Sequence, residues 1–384
     1  MSEIKLPKDW KWVKLNEICD KVSLNKIKIK QKQYLPEGKY PVIDQGQDLI
    51  GGYFNDEKLI VPNEPPYIIF GDHTKIKKFI NFKFIPGADG VKVLKPKEII
   101  EPKFLFYSLF TIKIEDKGYA RHFQLLEKEL FPLPTLETQQ AIVSKIEELF
   151  SELDKGIEDL KTSQQQLKTY RQSVLKYAFE GKLTNNNVKE GVLPKGWKVV
   201  KMSDVIKLSS LKHKPEKVED LFYIGLEHIE KHSGKLKPTV GIEKIKTVKN
   251  KFLKGDILYG KLRPNLNKVY LSKEEGVCST DILVLKLAEN CLGKYLHQIM
   301  ISTHFVNEMS ENTSGVNLPR VSTKFIMNYE IPLPTVEEQN FIILEIESRL
   351  SVADKMEESI AQSLLQAEAL RQSILKKAFS GELV

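Results

Sequence analysis

The sequence predicts an α+β chain built twice over: two globular domains separated by two long helices that pair as an antiparallel coiled coil, with an internal pseudo-two-fold repeat. Three observations carry this. The stretch "PLPTLETQQAIVSKIEELFSELDK" (132–155) returns as "PLPTVEEQNFIILEIESRLSVADK" (332–355), and "RQSVLKYAFEGKL" (171–183) returns as "RQSILKKAFSGEL" (371–383), both displaced by 200 positions. Apolar residues recur every seven positions through both copies. Ahead of each copy lie short β-branched and aromatic runs broken by Gly and Pro, the mark of strands and turns.

Taken in order, the chain opens on "LPKDWKWVKLNEI" (6–18), which recurs as "LPKGWKVVKMSDV" (193–205) at a displacement of 187. The first globular segment offers "YPVI", "PYIIF", "KKFINFKFI" and "GVKVLKP" as strands and "PKFLFYSLF" as a helix. The second offers "DILYGK", "KVYLS" and "TDILVLKLA" as strands and "GKYLHQIMISTHFVNEM" as one helix. Between them, "VLKPKEIIEPKFL" (93–105) matches "VLKLAENCLGKYL" (284–296) at 191. A period near 200 is a tandem duplication and not a solenoid array. The expected boundaries are 1–134 and 184–334 for the globular domains, 135–183 for the central helix and 335–384 for the C-terminal one.

In the central helix Ile146, Leu153, Leu160, Leu167 and Val174 form the seven-residue row, with Leu149, Ile157, Tyr170 and Ala178 beside it. The second helix has Ile346, Ala353, Ile360, Ala367 and Ile374, with Met356 and Leu370 between. Thr135 and Thr335 follow PLP where an N-cap belongs, and Gly181 and Gly381 sit where a C′ glycine belongs. Antiparallel pairing within one chain sets Leu153 opposite Ala367, Leu160 opposite Ile360 and Leu167 opposite Ala353, alternating large and small. Homodimerisation through the same seam is the rival reading.

The net charge of +8 is segregated. Residues 1–134 carry 23 basic and 18 acidic side chains and residues 192–334 carry 23 and 15, while the helical segments are acidic, with 8 and 9 over 135–191 and 5 and 9 over 335–384. Two basic blocks of this kind are the footprint of a nucleic-acid binder, with a solvated Lys-rich surface as the bland alternative. No apolar run approaches a membrane span, and the start lacks the apolar core of a signal peptide. Cys19, Cys278 and Cys291 are odd in number and widely spaced, which argues against a disulfide frame and for a cytoplasmic protein.

Catalytic motifs are incomplete. "NEPPYIIF" (63–70) contains PPY, but Glu64 stands where a base-holding methyltransferase motif needs Asn, Asp or Ser. "GDILYGKL" imitates a P-loop, but Leu262 replaces the Mg-binding Ser or Thr. "HIEKH" (228–232) lacks a third ligand, so no metal site is expected. Binding chemistry is better represented. "FGDHTKIKK" supplies Gly71, Asp72, His73, Thr74, Lys75, Lys77 and Lys78, and "GYARHFQ" adds Arg121 and His122. "YGKLRPNLNK" supplies Lys261, Arg263, Asn265, Asn267 and Lys268; Ser279, Thr280 and, in "SGVNLPRVS", Arg320 complete the candidates for DNA contact. Arg pairs bidentately with guanine, Asn with adenine, and Lys neutralises phosphate.

Together, the duplicated LPxxW, PLPT-(L/V)-E-x-Q and RQS(V/I)LKxAFxGxL motifs resemble those of the specificity subunit of type I restriction-modification enzymes, and the resemblance spans the whole chain. "YPVIDQGQDLIGGYF" (40–54) and "GDHT" (71–74) are also similar to stretches of that family's target-recognition domains. The resemblance implies a non-catalytic subunit in which each globular domain reads half of a bipartite double-stranded DNA site. It implies docking of two methyltransferase (HsdM) subunits and, in the full enzyme, two restriction (HsdR) subunits. S-adenosylmethionine, Mg and ATP are then expected on those partners, with no cofactor in this chain. Within the helix-end motif, Arg171, Gln172, Phe179, Arg371, Gln372 and Phe379 are the candidate docking residues. A self-sufficient methyltransferase and a DNA-binding scaffold without sequence preference are the competing readings.

Overall fold

In the first half, the apolar run at 67–71 forms a strand with every residue buried, and it lies inside a four-stranded antiparallel sheet. The sheet runs Cys19–Lys21, Val91–Pro96, Tyr67–Gly71, Lys77–Ile80. The second half repeats that order with Ile206–Leu208, Ile282–Leu287, Ile257–Gly260 and Val269–Leu271. The computed structural model describes residues 6–384 other than 26, 88–89, 116–117, 119, 186–187, 190, 215–220, 242–244, 246 and 316. The charged start (1–5), Tyr119 and Val316 of the sequence-predicted loops therefore lie outside the described residues.

The chain forms two compact units, residues 1–161 with 361–384 and residues 162–360. Each contains one globular domain, the start of the helix that follows it and the end of the other helix. The helices span Leu136–Phe179 and Val336–Ser380. Thr135 Oγ1 accepts from Thr138 N at 3.3 Å, and Thr335 Oγ1 accepts from Glu338 N at 3.3 Å. At the far ends Gly181 and Gly381 adopt φ of 75° and 78°. A Cβ at Gly381 would collide with the Pro7 ring, and one at Gly181 with the Pro194 ring. The glycine of the helix-end motif and the proline of LPxxW thus meet in each unit, which explains why the two motifs recur together.

Within the second unit the helices run antiparallel: Arg171 meets Asp354 at 2.5 Å and Glu357 at 3.0 Å, while Asn185 Nδ2 donates to Glu338 at 3.1 Å. In the first unit Arg371 pairs with Asp154, the same contact one repeat on. The pairing is intramolecular. Ile346, Ala353, Ile360, Ala367 and Ile374 are all buried, as the seven-residue row requires. Tyr170, Met356 and Leu370 are exposed, which corrects their placement in the seam: a residue three or four positions from the row can fall on either flank, and these fall outward.

The globular domains are tied to their helices by a recurring buried glutamine. Gln139 Oε1 accepts from Glu101 N at 2.7 Å, and its Nε2 donates to Ile99 O at 3.2 Å and Pro134 O at 3.0 Å. Gln339 repeats this with Leu292 N at 2.8 Å, Asn290 O at 2.9 Å and Pro334 O at 3.1 Å. Lys103–Glu147 and Lys294–Glu347 bridges repeat as well.

The helix expected over 293–309 is two, Gly293–Ile301 and Thr303–Glu311. Ser302 is extended (ψ 148°) and its side chain caps the second helix through Phe305 N, so the apolar pattern continues while the backbone does not. His297 lies on the first of these helices. Burial pushes its imidazole down to about 4, against an upward pull from a hydrogen bond with the Val269 backbone. Because the folded value lies below the ordinary 6.5, the unfolded chain binds more protons between about pH 6.5 and 4. The contribution that neutral His297 makes to stability is accordingly full above pH 6.5 and falls by about 2–3 kcal/mol as pH drops to 4. Urea midpoints followed across that range should show the loss, and His297→Asn should flatten it.

Candidate nucleic-acid interface

In the first unit three sequence-distant loops meet at one end of the four-stranded sheet. The hairpin after Gly71 is closed by Gly71 N donating to Ile76 O at 2.8 Å. A Cβ at Gly71 would clash with Thr74 Oγ1 and Gln45 Cβ, so the close approach of the 44–48 loop requires glycine. Thr74 Oγ1 donates to Gln45 O at 2.9 Å, and His73 N donates to Gln45 Oε1 at 3.2 Å. The third loop arrives through His122, whose backbone N donates to Asp72 O at 2.8 Å. His73 Nδ1 lies 3.1 Å from Ala120 O. Gln45, which sequence reasoning passed over as a site residue, is the hinge of this cluster; its signal was its place within "YPVIDQGQDLI".

Not every candidate faces outward. Asp72 is buried, accepts from Phe123 N at 2.9 Å and lies 3.2 Å from Lys92 Nζ. Burial acts to raise its carboxyl, but the Phe123 amide and Lys92 hold it below the usual range. His122 is buried with Nδ1 3.0 Å from Asp72 O. Lys78 is buried as well, its Nζ donating to Asp48 O at 2.5 Å and lying 3.8 Å from Asp44. These three hold the loops together from inside and do not present their polar groups to solvent, a correction to their expected role. The strand period contained the clue: Lys77 and Lys78 are adjacent on one strand and must face opposite sides. Lys77 Nζ instead stands 4.8 Å over the Phe110 ring; burial, with repulsion from Lys75, pushes it down to about 8. Arg121 and Thr74 are exposed.

The second unit builds the same place from different residues. Gly71 pairs with Val91 and Gly260 with Ile282 at the same ends of equivalent strands, so the strands correspond at a displacement of 189. The hairpin that follows is longer, nine residues (260–268) against six (71–76). Arg263 N donates to Pro319 O at 2.7 Å and Val321 N donates to Lys261 O at 3.2 Å, which brings the 318–321 loop alongside. Lys261 N donates to Asp281 O at 3.3 Å, and Arg320 lies 3.5 Å from the Asp281 carboxylate. Asp281, not among the candidates, thereby joins the Ser279–Thr280 turn to both neighbours; Thr280 is exposed. Asn267 is buried, and its carbonyl accepts from His232 N at 3.1 Å. The Lys268 ammonium donates to Leu226 O. Both therefore brace the hairpin, which corrects their expected direct contact. Arg263 and Asn265 remain exposed.

Each hairpin holds a basic residue in the left-handed region, Lys75 at φ 58° and Arg263 at φ 50°. Side chains other than glycine rarely adopt this conformation, and it persists where surrounding bonds enforce it, commonly at functional positions.

The helix-end candidates are largely engaged within their own units. Phe379 packs at a tilt against Phe104, with ring centroids 4.9 Å apart, and Phe179 meets Tyr295 edge-to-face at 5.6 Å. Arg371 lies 4.4 Å over the Phe150 ring besides its ion pair, and Gln172 Oε1 accepts from Thr303 N and Oγ1 at 2.8 and 2.6 Å. Gln372 is exposed and lines a groove of about 780 Å³ with Phe106, Tyr107, Phe110 and Phe150. The second helix also exposes Phe341, Leu344, Val352 and Met356, which share one face at 100° per residue. Among the described residues no cluster of His, Cys, Asp and Glu is arranged to hold a metal, and no helix is long and apolar enough to cross a membrane.

Known proteins match this architecture along its length. The chain is 27% identical to the type I restriction enzyme EcoDI specificity subunit of Escherichia coli, over all of this chain and 90% of that one. It is 25% identical to the MjaVIII specificity subunit of Methanocaldococcus jannaschii, over all of this chain and 95% of that one. In fold it is similar to a chain solved in work on complex assembly and conformational transition of the type I R-M system, with TM-score 0.75, 19% identity and coverage of 98% of this chain and 99% of that one. It is also similar to the HsdS subunit from Thermoanaerobacter tengcongensis, with TM-score 0.56, 20% identity and 98% of both chains covered. The model of the type I restriction modification DNA specificity domain matches residues 7–162 and again residues 194–366. The chain therefore belongs to the family of type I restriction-modification specificity subunits, carries its DNA specificity domain twice, and is a recognition component and not the catalyst.

Proposed function

We propose that each loop cluster reads one half of a bipartite double-stranded DNA site, the first through Lys75, Thr74 and Arg121 and the second through Arg263, Asn265, Thr280 and Lys261. The observation that carries this reading is the convergence of three separate segments, with Thr74 and Arg121 exposed in the first and Arg263, Asn265 and Thr280 exposed in the second, on the same end of two equivalent sheets. Loops on a rigid sheet can diverge in sequence while their scaffold stays fixed, which suits two readers of different half-sites.

Two methyltransferase subunits dock on the helical segments, and two restriction subunits join in the full enzyme, all in the cytoplasm. S-adenosylmethionine, Mg and ATP come with those partners. The groove beside Gln372 and the apolar face of Phe341, Leu344, Val352 and Met356 are the docking surfaces, since exposed apolar area of this kind marks protein contacts. The six helix-end residues shape these surfaces more than they supply them.

The helices act as the ruler between half-sites. Inserting four residues after Lys161 adds about 6 Å at 1.5 Å per residue. The methylated motif of cells carrying that variant should keep both half-sites and lengthen its unread spacer. An unchanged spacer would contradict the ruler.

A further inference from the structure

We propose that a cleft beside the first loop cluster, lined by Lys21, Lys28 and Lys92, grips a backbone phosphate of the DNA outside the base-reading loops. This rests on the reading of that cluster as a DNA reader.

The cleft follows from local packing. After the strand Cys19–Lys21, Leu24 is buried and Val22 and Ile27 pack on the core that contains Ile43, Tyr67 and Ile69. With those apolar side chains turned in, Ser23, Asn25 and Lys28 are left exposed. The resulting cleft of about 540 Å³ has Lys21, Lys28, Lys92, Ser23 and Asn25 as its polar lining and, among the described residues, no carboxylate. Lys21 and Lys28 are exposed and form no ion pair among the described residues. Lys92 links the cleft to the loops: its Nζ lies 3.2 Å from Asp72, the carboxylate that accepts from Phe123 N. Lys21 and Lys92 stand 5.0 and 6.0 Å over the buried Phe123 ring, so both ammonium groups rest on a fixed surface.

Ammonium, hydroxyl and amide groups, with the Asp72 carboxylate buried against Lys92, suit an anion with several acceptor oxygens. A duplex engaged by the 71–76 and 118–123 loops supplies such an anion in its next phosphates. The contact adds affinity and register without reading sequence.

The test uses the full chain in complex with its methyltransferase and duplexes carrying its own methylation motif, each with one methylphosphonate in place of a phosphate. Lys21→Gln with Lys28→Gln should weaken binding on the order of tenfold for target and scrambled duplexes alike. It should also lower the slope of log affinity against log salt by about 1, the value for one phosphate contact. One or two methylphosphonate positions that weaken the wild type should no longer weaken the double variant. Lys28→Gln alone, which leaves the Phe123 contact intact, should give about half the slope change. Discrimination in the wild type with an unchanged slope, or unchanged methylphosphonate sensitivity, in the variants would overturn the phosphate site alone. A wild type that binds scrambled duplex as tightly as target would overturn the loop reading and this site with it.

Discussion

Replacing Gln339 by leucine should lower the unfolding free energy by about 3 kcal/mol, and Gln139→Leu should do the same in the first unit. Each glutamine is fully buried and satisfies one backbone N–H and two carbonyls at the joint between a globular domain and its helix. Leucine fills the volume but leaves those groups without partners, at about 1–3 kcal/mol each when water cannot reach them. Urea denaturation of the full chain measures the loss, and hydrogen exchange at the Leu292 amide localises it. A loss under about 1 kcal/mol would mean that water enters the joint and replaces the side chain. The PLPT-(L/V)-E-x-Q motif thus has a structural reason: threonine caps the helix and glutamine fastens the domain to it.

Arg263→Ala should cost about 1–3 kcal/mol of DNA affinity, roughly 5- to 150-fold, and relax one base position in one half-site only. The guanidinium is exposed, its backbone is fixed in the left-handed region and its amide is tied to Pro319 O, so little ordering remains on binding. Arg263→Lys keeps the charge and loses the planar fork. It should therefore retain the salt dependence while losing the base preference. Equal weakening on every sequence would assign Arg263 to phosphate and not to a base.

Much of the architecture was legible because it repeats. The copies carry the same physical demands: a cap after PLP, a buried glutamine four residues on, a seven-residue apolar row, a glycine against the LPxxW proline. The break at Ser302 was hidden because Ile301 and Phe305 continue the apolar pattern across an extended residue. Within the site, the loops were identified but not the direction of each side chain. Lys78 and Asn267 carry the right chemistry for DNA yet are buried by partners distant in sequence, Asp44 and Asp48 in one case and the His232 turn in the other. Gln45 and Asp281 were missed because an isolated polar residue in a loop has no periodicity to mark it. Their roles exist only once the strands bring three loops to one edge.

The central claim is that this chain selects where a partner methylates DNA. The most direct test is a genome-wide map of methylated bases in cells expressing the chain with its cognate methyltransferase, against cells with the methyltransferase alone. A new bipartite motif with a fixed gap, present only with this chain, is the expected result. A stable complex between the two proteins without any new motif would contradict it.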